Sequence, residues 1–388
     1  MKDKITRVET YKVRIPRDTP YLGELNKDEY VNANGYFVRG ANKSIYSIYD
    51  QSLLVKITTE SGKVGWGECV AFVGPEVTEA IVKTIIEPQI LGRSPIDVVA
   101  IYEDLYNAMR VRGYFGGFYL DAISAVDIAL WDLKGKILKK QVCELLGASE
   151  TQKVKAYISG LPVPTTSERA EMAKFWQDKG FDAVKLPIVL NVNEPEVEVK
   201  SLRDAMGKEA KILVDMHWRY TSLEAINLIE RMNQYDLYLA EAPVKPEDVE
   251  GQAHVVRSVK TNVGIGEELR TIHEYIPRFV NRCMNVIQPE MGRIGITAFV
   301  DICRTSMGFN QLVMPHASIG IGIFQAASLH ASVTLSNCVY HEYQHSIFDK
   351  NLKYLTGNMS CSEGYFYLSQ EVGLGVEPRN EFLQKYTY

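Results

Sequence analysis

The 388-residue sequence lacks the features that mark several classes of protein. It has no excess of positive charge, since 43 lysines and arginines stand against 48 acidic residues, for a formal net charge of −5. A surface without a basic stripe does not displace counterions, so nucleic acid is not an expected partner. No run of about 18 apolar residues is present, and the charged N-terminus MKDKITRVET is unlike a signal peptide. We therefore expect a cytoplasmic protein with no membrane partner.

Cysteine spacing excludes two further classes. The six cysteines form no CxxC pair and no regular pattern, which gives no support for a zinc ribbon or a disulfide framework. We expect them to be small buried apolar side chains. With 46% hydrophobic and 23% charged residues, the chain suits either two or three domains or one large barrel with additions.

The hydrophobic pattern changes near residue 150. Before it, residues 52–69 alternate around a Ser-Gly-Lys turn, as in a β-hairpin, and residues 119–138 have helical spacing. From residue 155 onward, eight short apolar strands alternate with amphipathic helices. Alternating strands and helices form a parallel sheet, and eight such units favour a (β/α)8 barrel over an open sheet.

The pattern predicts an α/β protein in three parts. Residues 1–135 form an α+β capping domain, residues 136–349 form the barrel, and residues 350–388 form a tail that packs on the cap. In such barrels the active site lies at the carboxyl ends of the strands. The second to eighth predicted strands end, in order, with Lys185; Asp215 and His217; Glu241; Glu267 and Glu268; Gln288 and Glu290; His316; and His341 and Glu342.

Three of these acids predict a metal site. Asp215, Glu241 and Glu267 end consecutive strands at equal spacing along the chain. Like charges so close raise one another's pKa and destabilise the fold unless a cation neutralises them. Oxygen ligands without cysteine suit a hard divalent ion, and Mg²⁺ keeps free positions for substrate oxygens. We expect one Mg²⁺ per subunit, although each acid taken alone could instead cap a helix or pair with a lysine.

His217 follows Asp215 by two residues. Because residues i and i+2 of a strand share a face, both side chains should point to the barrel mouth. They are expected to belong to one site.

Several motifs, taken jointly, resemble the enolase superfamily, and within it the mandelate racemase-like branch, over essentially the whole chain. They are VGWGEC (64–69), DIALWDLKGK (127–136), EAP (241–243), IGEE (265–268), IQPEMGRIGIT (287–297) and PHASIGIG (315–322). The resemblance implies an N-terminal cap and a substrate carboxylate bound to Mg²⁺. It also implies abstraction of the proton α to that carboxylate, and a homo-oligomer, since such proteins are often octamers or smaller even-numbered assemblies.

The resemblance assigns roles to further residues. His316 is the expected base, and Glu290, where the family more often has aspartate, is the partner that fixes its tautomer. Lys185 is placed to supply a second positive charge to the substrate carboxylate. Glu342 matches the acid that hydrogen-bonds a substrate carboxylate oxygen.

Two positions limit which reactions of this branch the sequence favours. Racemases of this branch have a second basic lysine two residues after the one matching Lys185, but here Pro187 stands there and takes no proton. A two-base racemase is therefore disfavoured. His217 resembles the histidine that protonates the departing hydroxyl in acid-sugar dehydratases of the galactonate dehydratase type. The alternative for His217 is a histidine that only hydrogen-bonds near the site.

Substrate specificity is expected to come from the cap. The polar, aromatic-rich stretch 17–46 lies between two apparent strands, and such long loops are either disordered or lids. Tyr21, Asn34 and Tyr36 offer hydroxyl and amide groups that suit a polyol. Arg219, directly after the third barrel strand, could reach the distal end of a sugar acid.

The sequence thus predicts a lyase that dehydrates a sugar acid to its 2-keto-3-deoxy product with Mg²⁺. One alternative is a cycloisomerase that opens a sugar-acid lactone or anhydro-sugar acid through the same enolate. Product mass distinguishes the two, because only dehydration loses water. A third possibility is a catalytically inactive barrel used for binding, which the intact acids and His316 disfavour.

Overall fold

The N-terminal part is built on antiparallel strands. In the computed structural model, which describes residues 3–148, 153–188, 194–318 and 320–388, its five strands are β1 Ile5–Pro16, β2 Tyr36–Val38, β3 Ile45–Ser47, β4 Tyr49–Thr59 and β5 Val64–Val70. They form a three-stranded sheet in the order β1-β4-β5 and a small hairpin of β2 and β3. The hairpin expected over residues 52–69 is confirmed, since β4 and β5 pair around the turn at residues 60–63.

The cap helices pack against this sheet. They are α1 Pro75–Ile81, α2 Glu87–Ile90, α3 Val98–Arg110, α4 Gly117–Leu138 and α5 Val142–Leu145, with a π-helical turn Val82–Ile86 between the first two. The helix expected over residues 119–138 is confirmed as α4. It lies directly on β5 because Gly65 and Gly67 have no Cβ, which would otherwise collide with the carbonyl oxygens of Ala129 and Ala125.

Eight parallel strands follow, as predicted. They are β6 Lys153–Ser159, β7 Ala183–Pro187, β8 Lys211–Asp215, β9 Leu237–Glu241, β10 Asn262–Ile265, β11 Val286–Ile287, β12 Leu312–Val313 and β13 His341–Tyr343. Neighbours in the chain are neighbours in the sheet from β6 to β12, and β13 pairs with β6. Backbone hydrogen bonds of Val313 with Asn337 and Val339 link β12 to the segment just before β13.

Helices alternate with these strands. They are α6 Thr166–Asp178, α7 Pro195–Met206, α8 Ser222–Asn233, α9 Val249–Ser258, α10 Ile272–Asn281, α11 Met291–Met307 and α12 Ile323–Ser332. Three of them begin with the same Thr-x-x-Glu capping box, in which threonine and glutamate satisfy free backbone N–H groups of the first turn. The alternation keeps the carboxyl ends of all the strands on one side, where loops are free to carry a site.

The C-terminal tail contacts both parts. Its elements are α13 His345–Asn351, a 3₁₀ turn Leu352–Tyr354, β14 Ser360–Ser362, β15 Tyr365–Tyr367 and α14 Asn380–Tyr386. Strand β15 pairs with β6 of the barrel, and Thr387 forms a bridge with Val13 of the cap sheet. Helix α4 continues to Leu138, three residues past the predicted boundary after residue 135. The limits of the three parts remain a prediction.

All six cysteines are free thiols, and four of them are buried. No helix in the described part of the chain has the length and hydropathy needed to cross a bilayer.

Candidate active site

The polar residues expected at the strand ends do meet on one side of the parallel sheet. Asp215 and Glu241 are direct partners in the register of β8 and β9. Asp215 also pairs with Pro187, the residue that ends β7 two positions after Lys185. Glu290 and His316 form a bridge between the ends of β11 and β12. Parallel pairing therefore gathers side chains that are far apart in the sequence.

Lys185 lies between two buried acids. Its Nζ is 2.8 Å from Oε1 of Glu241 and 2.8 Å from Oε1 of Glu342, and it faces the ring of Tyr157 at 5.6 Å. Burial lowers the pKa of Lys185, but the charges of Glu241 and Glu342 outweigh it and hold the pKa well above its usual range. Lys185 therefore remains a cation inside the site.

His316 is held between acids from three strands. Its Nδ1 lies 2.8 Å from Oε2 of Glu290, and its Nε2 contacts Glu267 and lies 3.7 Å from Oε2 of Glu342. Burial lowers the pKa of His316, but Glu267 and Glu342 raise it well above its usual range. Glu290 is fully buried and also accepts a backbone N–H from Ser318 at 2.7 Å. The longer glutamate thus reaches the imidazole, and Nε2 is the nitrogen that faces the acid cluster.

Asp215 and His217 are also in contact, but not for the reason the sequence suggested. Strand β8 ends at Asp215, and His217 and Trp218 adopt left-handed backbone conformations with φ of 50° and 52°. The Oδ1 of Asp215 accepts the backbone N–H of His217 at 2.9 Å and lies 3.0 Å from its Nδ1. A strained turn, rather than strand alternation, therefore brings the two side chains together.

The two members of this pair shift each other's ionisation. Burial raises the pKa of Asp215, but His217 and Lys185 outweigh it and the pKa is lowered. Burial lowers the pKa of His217, but Asp215 and then Glu267 raise it overall. His217 is therefore stabilised as a proton carrier.

The donor set fits a divalent cation. Glu241, Glu267 and His316 each offer a ligand atom, and these atoms lie within 4.8 Å of one another. Asp215 is outside that group, but its charge helps to raise the pKa of Glu241 to about 7, after the larger effect of burial. The site contains more buried carboxylates than the three cations Lys185, His217 and His316 neutralise. An additional cation with oxygen ligands would remove that excess negative charge.

Glu268 adds to the imbalance. It is partly buried, its buried Oε1 has no hydrogen-bond partner among the described residues, and burial raises its pKa to about 7.

The four residues expected to bind substrate lie in different places. Tyr21 lies close enough to the site to be affected by its acids. Burial raises the pKa of the Tyr21 phenol, and the charges of Glu342 and Glu267 raise it further. Tyr36 instead accepts the backbone N–H of Gly74 at 3.0 Å within the cap. The remaining two are peripheral. Asn34 is exposed and bonds to the side chain of Asn32, and the exposed Arg219 donates to the carbonyl of Ile188 at 3.2 Å, beside the end of β7.

The polar stretch that carries Tyr21 is organised by a buried ion pair. Arg39 is 0% exposed and lies 2.8 Å from Glu29. Its guanidinium also donates to the backbone carbonyls of Tyr21, Gly23 and Glu24. Such a charged fork fixes several carbonyls at once, so this part of the 17–46 stretch is an ordered wall beside the site.

Sequence reasoning missed three site residues, and it named a fourth, Gln288, only as the end of a strand. The rings of Tyr46 and Tyr21 are tilted against each other with centroids 5.4 Å apart. Burial raises the pKa of the Tyr46 phenol, and the charges of Glu267 and Asp215 add to the shift. The others lie on barrel strands: Ser159 donates to Glu342, Gln288 donates to Glu241 at 2.5 Å, and Tyr157 lies under Lys185. Ser159 could have been found in the same way as Gln288, because it ends a strand. Tyr46 gives no comparable signal.

Comparison with known proteins agrees with this architecture. Residues 36–147 match the family model for the mandelate racemase / muconate lactonizing enzyme N-terminal domain, and residues 167–382 match the enolase C-terminal domain-like model. D-galactarolactone cycloisomerase of Agrobacterium fabrum is 29% identical, over 85% of this chain and 83% of that protein. D-galactonate dehydratase of Pectobacterium atrosepticum is 28% identical, over 87% of this chain and 91% of that protein.

Solved structures give the same result. A member of the enolase superfamily from Agrobacterium tumefaciens superposes with a TM-score of 0.96 at 44% identity, over 99% of both chains. A racemase from Streptomyces coelicolor with bound magnesium has the same fold, with a TM-score of 0.85 at 23% identity over 99% of this chain and 100% of that one. The chain is thus a member of the enolase superfamily, with an N-terminal cap and a C-terminal barrel of the mandelate racemase / muconate lactonizing enzyme type.

Proposed function

We propose that the protein is a lyase that removes water from a sugar acid and gives the 2-keto-3-deoxy acid. The observation that carries the proposal is the presence of two histidines with separate acidic partners at one cluster of carboxylates. His316 lies against Glu290 and His217 against Asp215. Dehydration needs one group that removes a proton and another that protonates the departing hydroxyl. Sugar-acid dehydratases among the relatives support the same reaction class.

One Mg²⁺ per subunit is part of the proposal. Asp215, Glu241 and Glu267 would hold it, because they are oxygen donors at the ends of adjacent strands, the first two buried and the third partly buried. Bound there, the ion supplies positive charge that stabilises the doubly negative group formed when a carboxylate loses its α-proton. The remaining residues act on the substrate itself.

His316 takes the α-proton. Its Nδ1 is engaged by Glu290, so Nε2 is the nitrogen free to accept, once substrate replaces the contact with Glu267. Lys185 faces the substrate carboxylate and adds a second positive charge in a water-poor site. Glu342 contacts Lys185 and the backbone N–H of Ala317, and it orients the carboxylate end of the substrate from the last strand of the barrel.

His217 completes the elimination. After the α-proton has moved to His316, the enolate electrons form the C=C bond as the C–O bond at the β-carbon breaks, and the departing hydroxyl takes a proton from His217 and leaves as water. The resulting enol then tautomerises to the 2-keto acid. Pro187 occupies the place where a second lysine base would be needed for racemisation, so the reaction uses a base on one face only.

A second candidate is ring opening through the same enolate. D-galactarolactone cycloisomerase is a relative at 29% identity, and a ring oxygen can accept the proton of His217 just as a hydroxyl does. An inactive binding barrel is disfavoured, since binding alone does not require a buried histidine between three acids. We also propose a homo-oligomer and the division into residues 1–135, 136–349 and 350–388.

A screen of aldonic acids, aldaric acids and their lactones tests the proposal. The purified enzyme with Mg²⁺ is expected to form a ketone from at least one linear acid, with a product that has lost one water by mass spectrometry. A product of unchanged mass formed only from lactones or anhydro acids would favour the cycloisomerase. Turnover of none of them, with no exchange of α-protons in deuterated buffer, would reject both.

A further inference from the structure

Glu68 is a buried carboxylate of the cap that the proposed chemistry does not use. It is 0% exposed and lies in β5, and the hydroxyl of Ser52 in the neighbouring strand donates to it at 2.5 Å. Its other partners belong to the barrel. Four consecutive backbone N–H groups donate to its two oxygens at 2.6 to 3.3 Å, from Ile321, Gly322, Ile323 and Phe324.

These N–H groups belong to the segment that leaves the base. The segment runs from His316 to the start of α12 at residue 323. At its other end, Ala317 donates its backbone N–H to Glu342 at 2.8 Å and Ser318 donates to Glu290 at 2.7 Å. Carboxylates therefore hold the backbone on both sides of residue 319, two from the site and one from the cap. The described residues on either side, 317–318 and 321–324, are thus held by carboxylates of the site and of the cap.

The contact has little space for adjustment. A Cβ on Gly320 would approach the ring of Phe324 and would lie 2.6 Å from Oε1 of Glu68. The carbonyl of Gly320 accepts the side-chain amide of Asn351 at 2.7 Å, so the residue is anchored on a second side as well. Close packing of this kind transmits a displacement instead of absorbing it.

The hydrogen-bond donors determine what Glu68 can be replaced by. Burial raises the pKa of Glu68, whereas the hydrogen bonds from Ser52 and from the backbone of Ile321, Phe324 and Ile323 oppose that shift. The carboxylate accepts from all five donors, and glutamine has only one acceptor oxygen. The side-chain NH2 of glutamine would point its two hydrogens at backbone N–H groups, which cannot accept them. Residues 321–324 would therefore have to move away.

We propose that Glu68 is a positioning residue for the base: the cap carboxylate fixes the backbone after His316 and thereby sets the imidazole against the α-carbon of the substrate. The inference rests on the proposed function in one respect, the use of His316 as the base. Glu68 itself touches neither substrate nor His316.

Glu68→Gln tests the inference, with Asp127→Asn as a matched control. Asp127 is also a buried cap acid that accepts from the barrel, here from the backbone N–H of Thr297 at 2.9 Å and its hydroxyl at 2.6 Å. Thr297 lies in α11, away from the segment that follows His316. Hydrogen exchange read by mass spectrometry should be at least about tenfold faster at residues 320–324 in Glu68→Gln and unchanged there in Asp127→Asn.

Kinetics separate positioning from simple loss of stability. The substrate is the acid that the wild type converts fastest in the screen. Glu68→Gln should lower kcat about 10- to 100-fold, because a misplacement of about 1 Å in the reacting groups has that effect. KM should stay within about twofold of the wild-type value. Asp127→Asn should keep kcat per folded enzyme. If Glu68→Gln does not fold, Gly320→Ala disturbs the same contact from the barrel side and should give the same split.

Two results would overturn the inference. In one, both variants lower kcat per folded enzyme equally. In the other, Glu68→Gln exposes the amides of residues 320–324 and leaves kcat unchanged. If the wild type converts no acid sugar, the proposed function fails, but the positioning of His316 by Glu68 can still be tested. The measurement is then the imidazole NMR signals of His316, which are assigned with His316→Asn. Glu68→Gln should shift those signals and Asp127→Asn should not, and an unshifted signal in Glu68→Gln rejects the inference.

Discussion

Two groups of enclosed acids in this molecule have different partners. In the site, burial raises the pKa of Asp215, Glu267 and Glu342, but neighbouring cations outweigh it and lower each one, that of Glu342 to about 2. Where the cap meets the barrel, Glu68 and Asp127 accept hydrogen bonds from neutral groups. There burial prevails and raises the pKa of Asp127 to about 7. At these three site acids the cations keep the carboxylate charged, whereas neutral donors only satisfy the oxygens of Glu68 and Asp127. Glu241 is intermediate, because burial raises its pKa to about 7 even though Lys185 opposes the shift.

The histidines divide in the same way. Burial lowers the pKa of His217 and His316, but the adjacent acids raise both above the ordinary value. Away from the site, burial dominates and lowers the pKa of His330 and His341 to about 4. The two histidines whose pKa is raised therefore lie at one end of the parallel sheet, whereas His330 and His341 are held neutral by burial.

The largest expected effect tests the charged region directly. His316→Asn should lower turnover by about 10⁴-fold and remove exchange of the substrate α-proton with deuterated solvent, because no other group is placed to accept that proton. NMR of the substrate in D₂O measures the exchange. His254→Asn is a matched control, since His254 is near Ser222 on the outer helices. Exchange that persists in His316→Asn would place the base elsewhere.

His217→Asn should give the next largest effect. Product formation should fall by about 10²- to 10⁴-fold, the usual contribution of a general acid, while α-proton exchange into unreacted substrate remains detectable. This expectation requires that the enolate be reprotonated at the same carbon. Near-normal turnover would mean that His217 only supports Asp215 and that His316 serves as both base and acid. The stereochemistry of elimination would then be syn.

A histidine that burial keeps neutral, such as His330, should make the folded protein less stable at low pH. His330 accepts the backbone N–H of Cys143 and donates to the carbonyl of Leu374, and its folded pKa of about 4 lies below the ordinary 6.5. As pH falls below about 6.5 the unfolded chain takes up this proton first, so folding stability decreases until pH 4. The loss attributable to His330 is about 3 kcal/mol.

Urea unfolding of the wild type and His330→Gln at pH 7.5 and pH 4.5 measures this contribution. The variant should be less stable at pH 7.5 but should lose less on acidification. An identical pH dependence for both proteins would show that His330 is not held neutral.

The smallest expected effect is stabilisation of the folded protein by Mg²⁺, which should depend on the site acids and not on the acids between the cap and the barrel. Mg²⁺ at about 100 times its dissociation constant should raise the free energy of unfolding by about 2.7 kcal/mol, because the folded site binds the ion and the unfolded chain does not. Thermal unfolding with Mg²⁺ and with chelator measures the difference. Asp215→Asn should lose the stabilisation and Asp127→Asn should retain it. Equal loss in both variants would indicate that the ion acts at no particular site.

The sequence was informative wherever a pattern repeats. Short apolar runs that alternate with amphipathic helices predicted all eight barrel strands, and the acids at their ends could be expected to meet because parallel strands share one edge. The contact between Asp215 and His217 was expected for the wrong reason. Strand alternation stops at Asp215, and two left-handed residues make the contact instead. Local pattern does not reveal such a turn, because neither residue is glycine.

The cap was less predictable, for a physical reason. Tyr21, Asn34 and Tyr36 are chemically similar candidates in one stretch, yet only Tyr21 approaches the site. Its place depends on Arg39, whose charge is buried against Glu29 and three carbonyls of an irregular loop. An irregular loop has no period from which direction can be inferred, so only the assembled contacts decide which side chain reaches the substrate.

The contacts of the cap acids also bear on the order in which the chain folds. Asp127 bonds a residue 170 positions later, and Glu68 bonds one 255 positions later. During synthesis the cap residues leave the ribosome first, but their buried carboxylates have no partners until most of the barrel has been made. Because contacts of long sequence separation form late, the N-terminal domain must wait for the seventh barrel unit before it reaches its native packing. Protease resistance of the cap in arrested nascent chains should accordingly rise only after residue 324 has emerged.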